Sequence, residues 1–247
     1  MTTSGDSSPP PGVRRDLTAL LSRSGTYALS DMLKQAINFL LLPLYTVYLS
    51  RADYGVLSIA LAAAAVLEVI YGLGLRGAIG RLYFDQRGEA QVRAFLGTLA
   101  TFLAGYGLAL TALLLVIGPV VWPRLGLDEV AFSPYIVLVL VIVLLNNLGL
   151  GWVLPLYYTR GQAVRYAAYS LAGFLLVTGA TLILVVGLGQ GAVGALWGRL
   201  IAALLMLGPT LWIVGRNVRP ALHREMLAPA LAYSLPLVPH LISTWAL

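Results

Sequence analysis

The sequence predicts an all-α integral membrane protein with a six-helix N-terminal lobe and the start of a seventh transmembrane helix. Three observations lead to this fold class. Of the 247 residues, 59% are hydrophobic and only 11% are charged, and the mean hydropathy is +0.86. The apolar residues also fall into long runs separated by short polar joins. Soluble domains carry roughly 45–50% apolar and about 25% charged residues, so most of this chain is expected to lie in a bilayer.

The apolar runs define the predicted elements in order. Residues 1–22 are polar and proline-rich, which predicts a disordered cytoplasmic tail. Six runs long enough to cross a bilayer follow. These predicted helices lie near 24–49, 55–76, 94–118, 134–158, 164–187 and 191–215. Residues 216–229 form a predicted cytoplasmic linker, and a truncated seventh helix occupies 230–247, where Pro236 and Pro239 predict a kink or break.

The arginines are distributed unevenly between the two sides of the predicted membrane. If the N-terminus is cytoplasmic, twelve arginines lie in the tail or at inner helix ends, whereas only Arg51 and Arg124 lie outside. Such an excess predicts a multi-pass cell-membrane protein with a cytoplasmic N-terminus. It also accounts for the net charge of +6, which therefore does not indicate a nucleic-acid partner. The two remaining cations, Lys34 and Arg199, are predicted to be intramembrane.

The residue inventory argues against several kinds of chemistry. The chain has no cysteine, which excludes disulfides, thiolate metal sites and cysteine nucleophiles, and its two histidines are too few for a metal cluster. A membrane-embedded polymerase or glycosyltransferase would need a sizeable extramembrane loop or an acidic catalytic cluster, and the sequence offers neither. We therefore expect no enzyme activity, no catalytic residue, no metal and no cofactor.

The first predicted helix carries a polar arc. Its members fall within roughly 100° of one another at helical spacing. They are Tyr27, Asp31, Lys34, Gln35, Asn38 and Tyr45. Ionisable groups at membrane depth usually face protein or a wet cavity, so the arc is interpreted as one wall of a polar passage, with Asp31, Lys34, Gln35 and Asn38 as candidate substrate-binding residues. The alternative is that Asp31 and Lys34 only neutralise each other as an i,i+3 pair.

The second predicted helix supplies three further candidates. Glu68 and Arg76 lie about 12 Å apart along the axis and about 80° apart around it, so they share a broad face without pairing directly. Arg76 and Arg81 flank Gly-Ala-Ile-Gly, which predicts a loosened helix end with two guanidiniums at the cytoplasmic mouth. Guanidinium forks match phosphate geometry, so these arginines are candidates for contact with a pyrophosphate. The alternative is contact with lipid headgroups.

Later helices carry isolated polar groups. Arg199 has no acidic neighbour along its helix and lies beside small residues, which predicts either close helix packing or a polar cavity. It is interpreted as a ligand for an anionic substrate or as an ion-pair partner of Glu68 or Asp31. Asn146 and Asn147 cannot share one direction, so at least one is expected to face protein. An interfacial aromatic belt is predicted from Trp152, Tyr157, Tyr158, Tyr166 and Tyr169.

Three stretches resemble a known transporter family. They are L-L-P-L-Y-T-V-Y-L-S-R-A-D-Y-G-V-L-S at 41–58, G-L-G-L-R-G-A-I-G-R-L-Y at 72–83 and Y-S-L-P-L-V-P-H at 233–240. They are similar to the polysaccharide-transport (Wzx-type) oligosaccharide flippases of the multidrug, oligosaccharidyl-lipid and polysaccharide exporter superfamily. The resemblance implies two lobes of twelve to fourteen helices in total around a central cavity, of which this chain would be the N-terminal half. Arg76 and Arg81 match the family's cavity arginines by position.

The resemblance also implies a function. Such proteins move undecaprenyl-pyrophosphate-linked oligosaccharides across the inner membrane for lipopolysaccharide and other cell-surface polysaccharides, by alternating access about a midplane site. The implied partners are the lipid-linked oligosaccharide, membrane lipids, a polysaccharide polymerase and glycosyltransferases. Coupling to a proton or sodium gradient through Glu68 or Asp31 is a further expectation. The alternatives are an ion-coupled multidrug exporter, which would have an acidic cavity, a peptidoglycan-precursor flippase, and an inactive half-transporter.

Overall fold

Every regular element of the part of the chain that the structure describes is helical, which confirms the all-α fold class. The computed structural model describes residues 11–126 and 130–246, and within them the side chains of 24–37, 39, 43, 46–126 and 130–243. The α-helices are α1 (Pro11–Tyr48), α2 (Arg51–Gly72), α3 (Leu75–Leu82), α4 (Glu89–Arg124), α5 (Val137–Leu148), α6 (Leu150–Thr159), α7 (Ala163–Leu182), α8 (Gly191–Asn217), α9 (Arg224–Ser234) and α10 (Leu237–Ala246). A π-helical turn precedes α5 and another extends α7 to Gly187.

Five of the helical segments within these described residues are long and apolar enough to cross a membrane. They are Arg51–Gly72, Glu89–Arg124, Phe132–Thr159, Ala163–Gly187 and Gly191–Asn217. The bent pair α9 and α10 makes a sixth if it is counted as one span. Helix α1, which covers the first predicted span, is not among them. The transmembrane character of the five segments agrees with the runs predicted from the sequence.

The first helix differs from its prediction at the N-terminal end. Helix α1 begins at Pro11, so residues 11–22 of the predicted tail are helical, while residues 1–10 lie outside the described residues. The Leu-, Ala- and Arg-rich residues that follow have high helix propensity. The first helix therefore extends well beyond its apolar run.

The predicted linker and seventh helix are also revised. Helix α8 runs to Asn217 and α9 starts at Arg224, so only six residues of the predicted 216–229 linker are non-helical. Helices α9 and α10 are separated at Leu235–Pro236 and meet at a bend of 40°. The break predicted from Pro236 is thereby confirmed, since proline removes an intrahelical hydrogen bond and clashes with the preceding turn.

The second predicted helix is interrupted four residues before Gly77. Leu73 and Gly74 both have positive φ angles, 48° and 68°, and they end α2 before α3 starts at Leu75. The predicted loosening at Gly77–Gly80 is therefore wrong, because those residues stay helical within α3. A Cβ on Gly74 would lie 2.9 Å from the backbone oxygen of Ser234, so the absence of a side chain lets α9 approach the break.

The interhelical connections divide between the two ends of the bundle. The connections at 83–88, 160–162 and 218–223 lie at one end, called here the Arg-rich end. There Arg160 Nη1 donates to Asn217 Oδ1 at 2.5 Å, and Arg160 Nε donates to the Tyr83 hydroxyl at 3.4 Å. At the opposite end the Ala192 N–H donates to Asp53 Oδ1 at 3.1 Å. The chain thus alternates between the ends as the arginine distribution predicts, and the cytoplasmic assignment of the Arg-rich end stays a prediction.

Helices α7 and α8 pack more closely than any large side chain would allow. A Cβ on Gly198 would lie 2.6 Å from the Thr181 backbone nitrogen, and one on Gly194 would lie 3.3 Å from the Leu184 carbonyl. The two glycines are four residues apart, which places them on one face of α8, as in the small-residue contacts of membrane helices. This contact fixes α7 and α8 side by side and so positions the groups that they carry at the Arg-rich end.

Candidate functional site

A cavity of about 580 Å³ lies between the α2–α3 pair and the α5–α6–α7 segment. We call it the central cavity. Its wall combines one acidic, one basic, one amide and two tyrosine side chains with small and apolar residues. The lining residues are Glu68, Arg76, Gly77, Gly80, Asn146, Leu150, Gly151, Leu154, Pro155, Tyr158, Thr159 and Tyr166.

A second cavity, of about 330 Å³, adjoins the first through shared residues. Glu68, Arg76 and Gly77 line both, so these three lie between them. Leu237 and Leu241 of α10 close the smaller cavity on its far side. The α10 helix therefore forms part of the surroundings of Arg76, although it lies outside the central cavity.

Arg76 is held at its position by two helix interruptions. The break at Leu73–Gly74 starts α3, which carries Arg76 in its first turn. On the facing side, a Cβ on Gly151 would lie 3.0 Å from Arg76 Nη2 and 3.4 Å from its Nε, so the guanidinium lies directly over glycine backbone. Gly151 follows the interruption between α5 and α6 at Gly149. The guanidinium can approach α6 this closely because Gly151 has no side chain.

Glu68 faces the same space as Arg76 without forming an ion pair with it, as the sequence predicts. Within the described residues the three ion pairs join Lys34 to Asp31, Arg81 to Asp85 and Arg93 to Glu89. The Arg76 guanidinium therefore keeps its donors for an anion, and the half-buried Glu68 carboxylate can accept from hydroxyl groups or attract a cation. The cavity carries one charge of each sign.

A cluster of three tyrosines closes one side of the central cavity. Tyr27 of α1 contacts both Tyr158 of α6 and Tyr166 of α7, with ring centroids 5.3 and 5.0 Å apart. The prediction of an aromatic belt is wrong for Trp152 and Tyr169, which are buried at 4% and 8% exposure, whereas Tyr158 and Tyr166 line the cavity and Tyr158 is 64% exposed. The residue type alone does not distinguish a tyrosine at the membrane interface from a tyrosine in a cavity wall.

The polar arc of α1 contributes less to the cavity than predicted. Lys34 Nζ lies 2.6 Å from Asp31 Oδ1 and donates to Ser170 Oγ of α7 at 2.8 Å. Gln35 is exposed, and the side chain of Asn38 lies outside the described residues. Neither Asp31, Lys34 nor Gln35 is among the residues that line either cavity. The observed contacts fit the alternative in which Asp31 and Lys34 neutralise each other and join α1 to α7.

Two predicted arginines lie away from the described cavity walls. Arg81 is exposed and its Nη1 lies 3.4 Å from Asp85, an i,i+4 pair on the outer face of the helix. Arg81 follows Arg76 by five residues, which turns it by about 140° on a helix and so directs it elsewhere. Arg199 is half-buried on α8 and does not line either cavity. The ion pair recorded for Asp31 is the one with Lys34.

The two asparagines separate as their spacing predicts. Asn146 lines the central cavity, whereas Asn147 is buried at 6% exposure and approaches Gly72 of α2. Asn146 and Thr159 were not among the predicted site residues. The sequence does carry a signal for Asn146. It stands beside Asn147 in the middle of an apolar run, and two adjacent amides on a helix must face different surroundings.

Comparisons with known proteins extend this description. Residues 20–245 match a protein family described as polysaccharide biosynthesis protein. No curated protein shows significant sequence similarity to the chain. A solved structure, the outward-facing conformation of a multidrug resistance MATE family transporter of the MOP superfamily, resembles it with a TM-score of 0.64 at 17% sequence identity. The match covers 90% of this chain and 53% of the transporter, so the chain spans about half the length of that protein and shares its fold over that part.

Proposed function

Because this chain belongs to the polysaccharide biosynthesis protein family, whose fold is that of membrane transporters, we propose that it takes part in flipping undecaprenyl-pyrophosphate-linked oligosaccharides across the membrane. Its match over residues 20–245 confirms, at the level of the family, the resemblance carried by 41–58, 72–83 and 233–240. The flipped substrate, its direction of movement and the orientation of the helices are parts of the proposal.

The observation that carries the proposal is the position of Arg76. Its guanidinium lines the central cavity, lies over the backbone of Gly151 and has no ion-pair partner among the described residues. A guanidinium presents a rigid fork of N–H donors that matches phosphate oxygens bidentately. An arginine that lies in a transmembrane cavity and keeps its donors available suits a pyrophosphate headgroup.

The remaining polar groups of the cavity suit the sugar portion. Glu68, Asn146 and Thr159 offer acceptors and donors for hydroxyl groups, and the faces of Tyr158 and Tyr166 offer apolar contact. In this proposal the headgroup reaches Arg76 from the Arg-rich end while its lipid tail stays in the bilayer. The lobe then moves relative to a second lobe to open the cavity outward, and Glu68 is the candidate for a coupling proton or cation.

A binding measurement with matched arginine variants tests this role. The probe is an undecaprenyl-pyrophosphate-linked oligosaccharide, titrated into the purified protein in detergent. We expect Arg76→Gln to weaken its binding roughly 10- to 100-fold, as for the loss of one or two hydrogen bonds to a charged group. Arg81→Gln removes the same charge outside the cavity and is expected to change binding less than about twofold. Equal affinity of Arg76→Gln and the unaltered protein would remove the basis of the proposal.

Export of cationic drugs is a second candidate, and two observations favour it. The cavity lining contains the Glu68 carboxylate and one cation, Arg76, and tyrosine rings form part of its wall. In addition, the solved structure that resembles the chain is that of a multidrug transporter. A cation exporter requires the Glu68 carboxylate, so Glu68→Gln should abolish binding of a cationic dye. A flippase needs Arg76 more, so Glu68→Gln should leave the affinity for the pyrophosphate-linked sugar unchanged or slightly higher. A peptidoglycan precursor carries the same pyrophosphate, and its sugar would be distinguished by titrating both lipids.

A further inference from the structure

A further polar depression, distinct from the two cavities described above, lies at the Arg-rich end, on the other side of α6 and α7 from the central cavity. It has a volume of about 610 Å³, and we call it the basic groove. Its lining residues are Tyr157, Arg160, Gln162, Arg165, Ala168, Tyr169, Trp212, Ile213, Arg216 and Asn217. None of them lines the central cavity, and consecutive residues divide between the two: Tyr157 and Arg165 face the groove, whereas Tyr158 and Tyr166 face the cavity.

Three guanidiniums converge on the basic groove from three helix ends, and neutral groups hold all three. Arg160 donates to Asn217 Oδ1 at 2.5 Å and to the Tyr83 hydroxyl at 3.4 Å. Arg165 Nη1 donates to Gln162 Oε1 at 3.2 Å, and the Arg216 guanidinium carbon lies 4.7 Å from the centre of the Trp212 ring. These contacts orient the guanidiniums and leave their positive charge uncompensated.

Two of the other arginines at the same end have carboxylate partners, whereas the exposed Arg87, Arg219 and Arg224 have no ion pair among the described residues and do not line the groove. Arg81 and Arg93 each pair with a carboxylate one helical turn away, Asp85 and Glu89 respectively. Among the described ion pairs none involves a guanidinium of the basic groove. An excess of arginine in cytoplasmic loops requires only that the residues lie on that side of the membrane. It does not require three of them to line one depression with amide, hydroxyl and indole partners, so the groove has the features of an anion site.

The surroundings of the groove indicate which anion fits. Trp212 lies five residues before the end of α8, about 7.5 Å from the end of that membrane span, and it is 64% exposed. Tryptophan at this depth is typical of the membrane–water interface. The outer face of α8 continues toward the membrane interior with exposed apolar side chains at Leu204, Leu205 and Leu211. An anion in the groove would thus lie at headgroup depth, with apolar protein surface directly below it.

We propose that the basic groove binds the phosphate of an anionic phospholipid headgroup, while the acyl chains of that lipid lie along the outer face of α8. This site is separate from the substrate cavity and does not depend on the flippase proposal. The phosphate is recognised by the Arg160, Arg165 and Arg216 guanidiniums, and the lack of any carboxylate in the groove lining favours a headgroup with net negative charge.

Lipid retention by the purified protein tests the site. The protein is incubated in detergent with phosphatidylglycerol or, separately, phosphatidylcholine, and bound lipid is measured by native mass spectrometry. We expect Arg165→Gln/Arg216→Gln to bind phosphatidylglycerol about tenfold more weakly, the equivalent of one charge-assisted hydrogen bond, with retention of phosphatidylcholine unchanged. The matched control is Arg87→Gln/Arg93→Gln, which removes two charges from the same end outside the groove and is expected to alter binding less than about twofold.

Three outcomes would overturn the proposal. Equal losses in the two double variants would assign lipid binding to the general charge of this end. Unchanged phosphatidylglycerol binding in the groove variant would remove the site. Binding of inorganic phosphate, measured by calorimetry, that is lost in the groove variant without any difference between the two lipids would assign the groove to a soluble anion. Unchanged phosphatidylcholine retention and helical circular dichroism report that the variants remain folded.

Discussion

The central cavity and the basic groove use the same two helices in opposite ways. In the cavity a single arginine, Arg76, lies with a carboxylate and tyrosines, so the charges balance. In the groove three arginines lie with neutral partners, so the positive charge accumulates. Tyr157 and Tyr158, adjacent in the sequence, face different sites. Successive residues on a helix point about 100° apart, so neighbours in the sequence can line different sites. The direction of each side chain, more than the number of arginines in a loop, therefore determines what the Arg-rich end can bind.

The contact that holds α7 against α8 is expected to affect both sites at once. Gly198→Ala places a Cβ 2.6 Å from the Thr181 backbone nitrogen, and backbone cannot rotate away from it. Separation of the two helices should lower the free energy of unfolding by about 1–3 kcal/mol and weaken ligand binding at both sites. Thermal unfolding in detergent measures the loss.

The control for this variant is Gly179→Ala on the facing helix α7. A Cβ there meets nothing within 4 Å, and alanine is preferred over glycine in a helix by roughly 0.5–1 kcal/mol. The two substitutions should therefore change the unfolding midpoint in opposite directions. A Gly198→Ala variant as stable as Gly179→Ala would show that the helix contact does not set the stability of this region.

The next largest effect separates the cavity from the groove. Gly151→Ala adds a Cβ 3.0 Å from Arg76 Nη2, so the end of that side chain must shift by a few tenths of an ångström. We expect about five- to tenfold weaker binding of the pyrophosphate-linked sugar, because the charge-assisted hydrogen bonds of the guanidinium lose their alignment, and unchanged binding of phosphatidylglycerol. Gly80→Ala also alters a glycine of the cavity lining but meets nothing within 4 Å, so it should leave both affinities unchanged. Equal effects of the two alanines would contradict the placement of Arg76.

Asn217→Asp adds a carboxylate to the basic groove with little change in side-chain shape. The groove would then contain both signs of charge, as the central cavity does with Glu68 and Arg76. Asn217→Asp puts a carboxylate where the amide oxygen now accepts from Arg160 Nη1 at 2.5 Å, and it removes the bond that Asn217 Nδ2 donates to the Ile213 carbonyl oxygen at 2.7 Å. The new charge should compete with the lipid phosphate and weaken phosphatidylglycerol binding about fivefold, since an exposed ion pair contributes up to ~1 kcal/mol. Binding of the pyrophosphate-linked sugar should not change. Stronger lipid binding in this variant would contradict the role assigned to the unpaired guanidiniums.

The smallest expected effect concerns the indole beside Arg216. Trp212→Leu keeps an apolar side chain but removes the ring over which the guanidinium lies at 4.7 Å. Cation–π contacts at exposed positions contribute about 0.5–1 kcal/mol, so lipid retention should fall roughly twofold. Trp197→Leu, also an exposed tryptophan of α8 but outside the groove, is the control and should have no effect.

Much of the fold follows from the sequence because it depends on composition and period. Long apolar runs define the spans, and the arginine distribution gives the alternation of the connections between the two ends. Glu68 and Arg76 line one cavity as predicted, but the break at Leu73–Gly74 lies between them, so the spacing of a continuous helix is not what brings them together. The break at Pro236 follows from proline chemistry.

The parts that the sequence did not predict depend on contacts between distant segments. Whether Tyr158 faces lipid or Tyr27 is decided by the packing of α1 against α7. The assembly of Arg160 with Asn217 joins residues 57 positions apart. One error and one contact left unassigned had local signals, however: Asp85 follows Arg81 at i,i+4 spacing, and Gly194 and Gly198 form a small-residue motif that indicates close helix packing.

The glycine at the end of α2 also has a mechanical consequence. A Cβ on Gly74 would lie 2.9 Å from the carbonyl oxygen of Ser234, which is the last residue of α9 before its 40° bend, and the next turn of the chain after Gly74 carries Arg76. The two bends therefore lie against each other, and the α3 helix that carries Arg76 packs on α9. A change in the angle between α9 and α10 is expected to shift that turn, and with it the depth of the Arg76 guanidinium in the cavity.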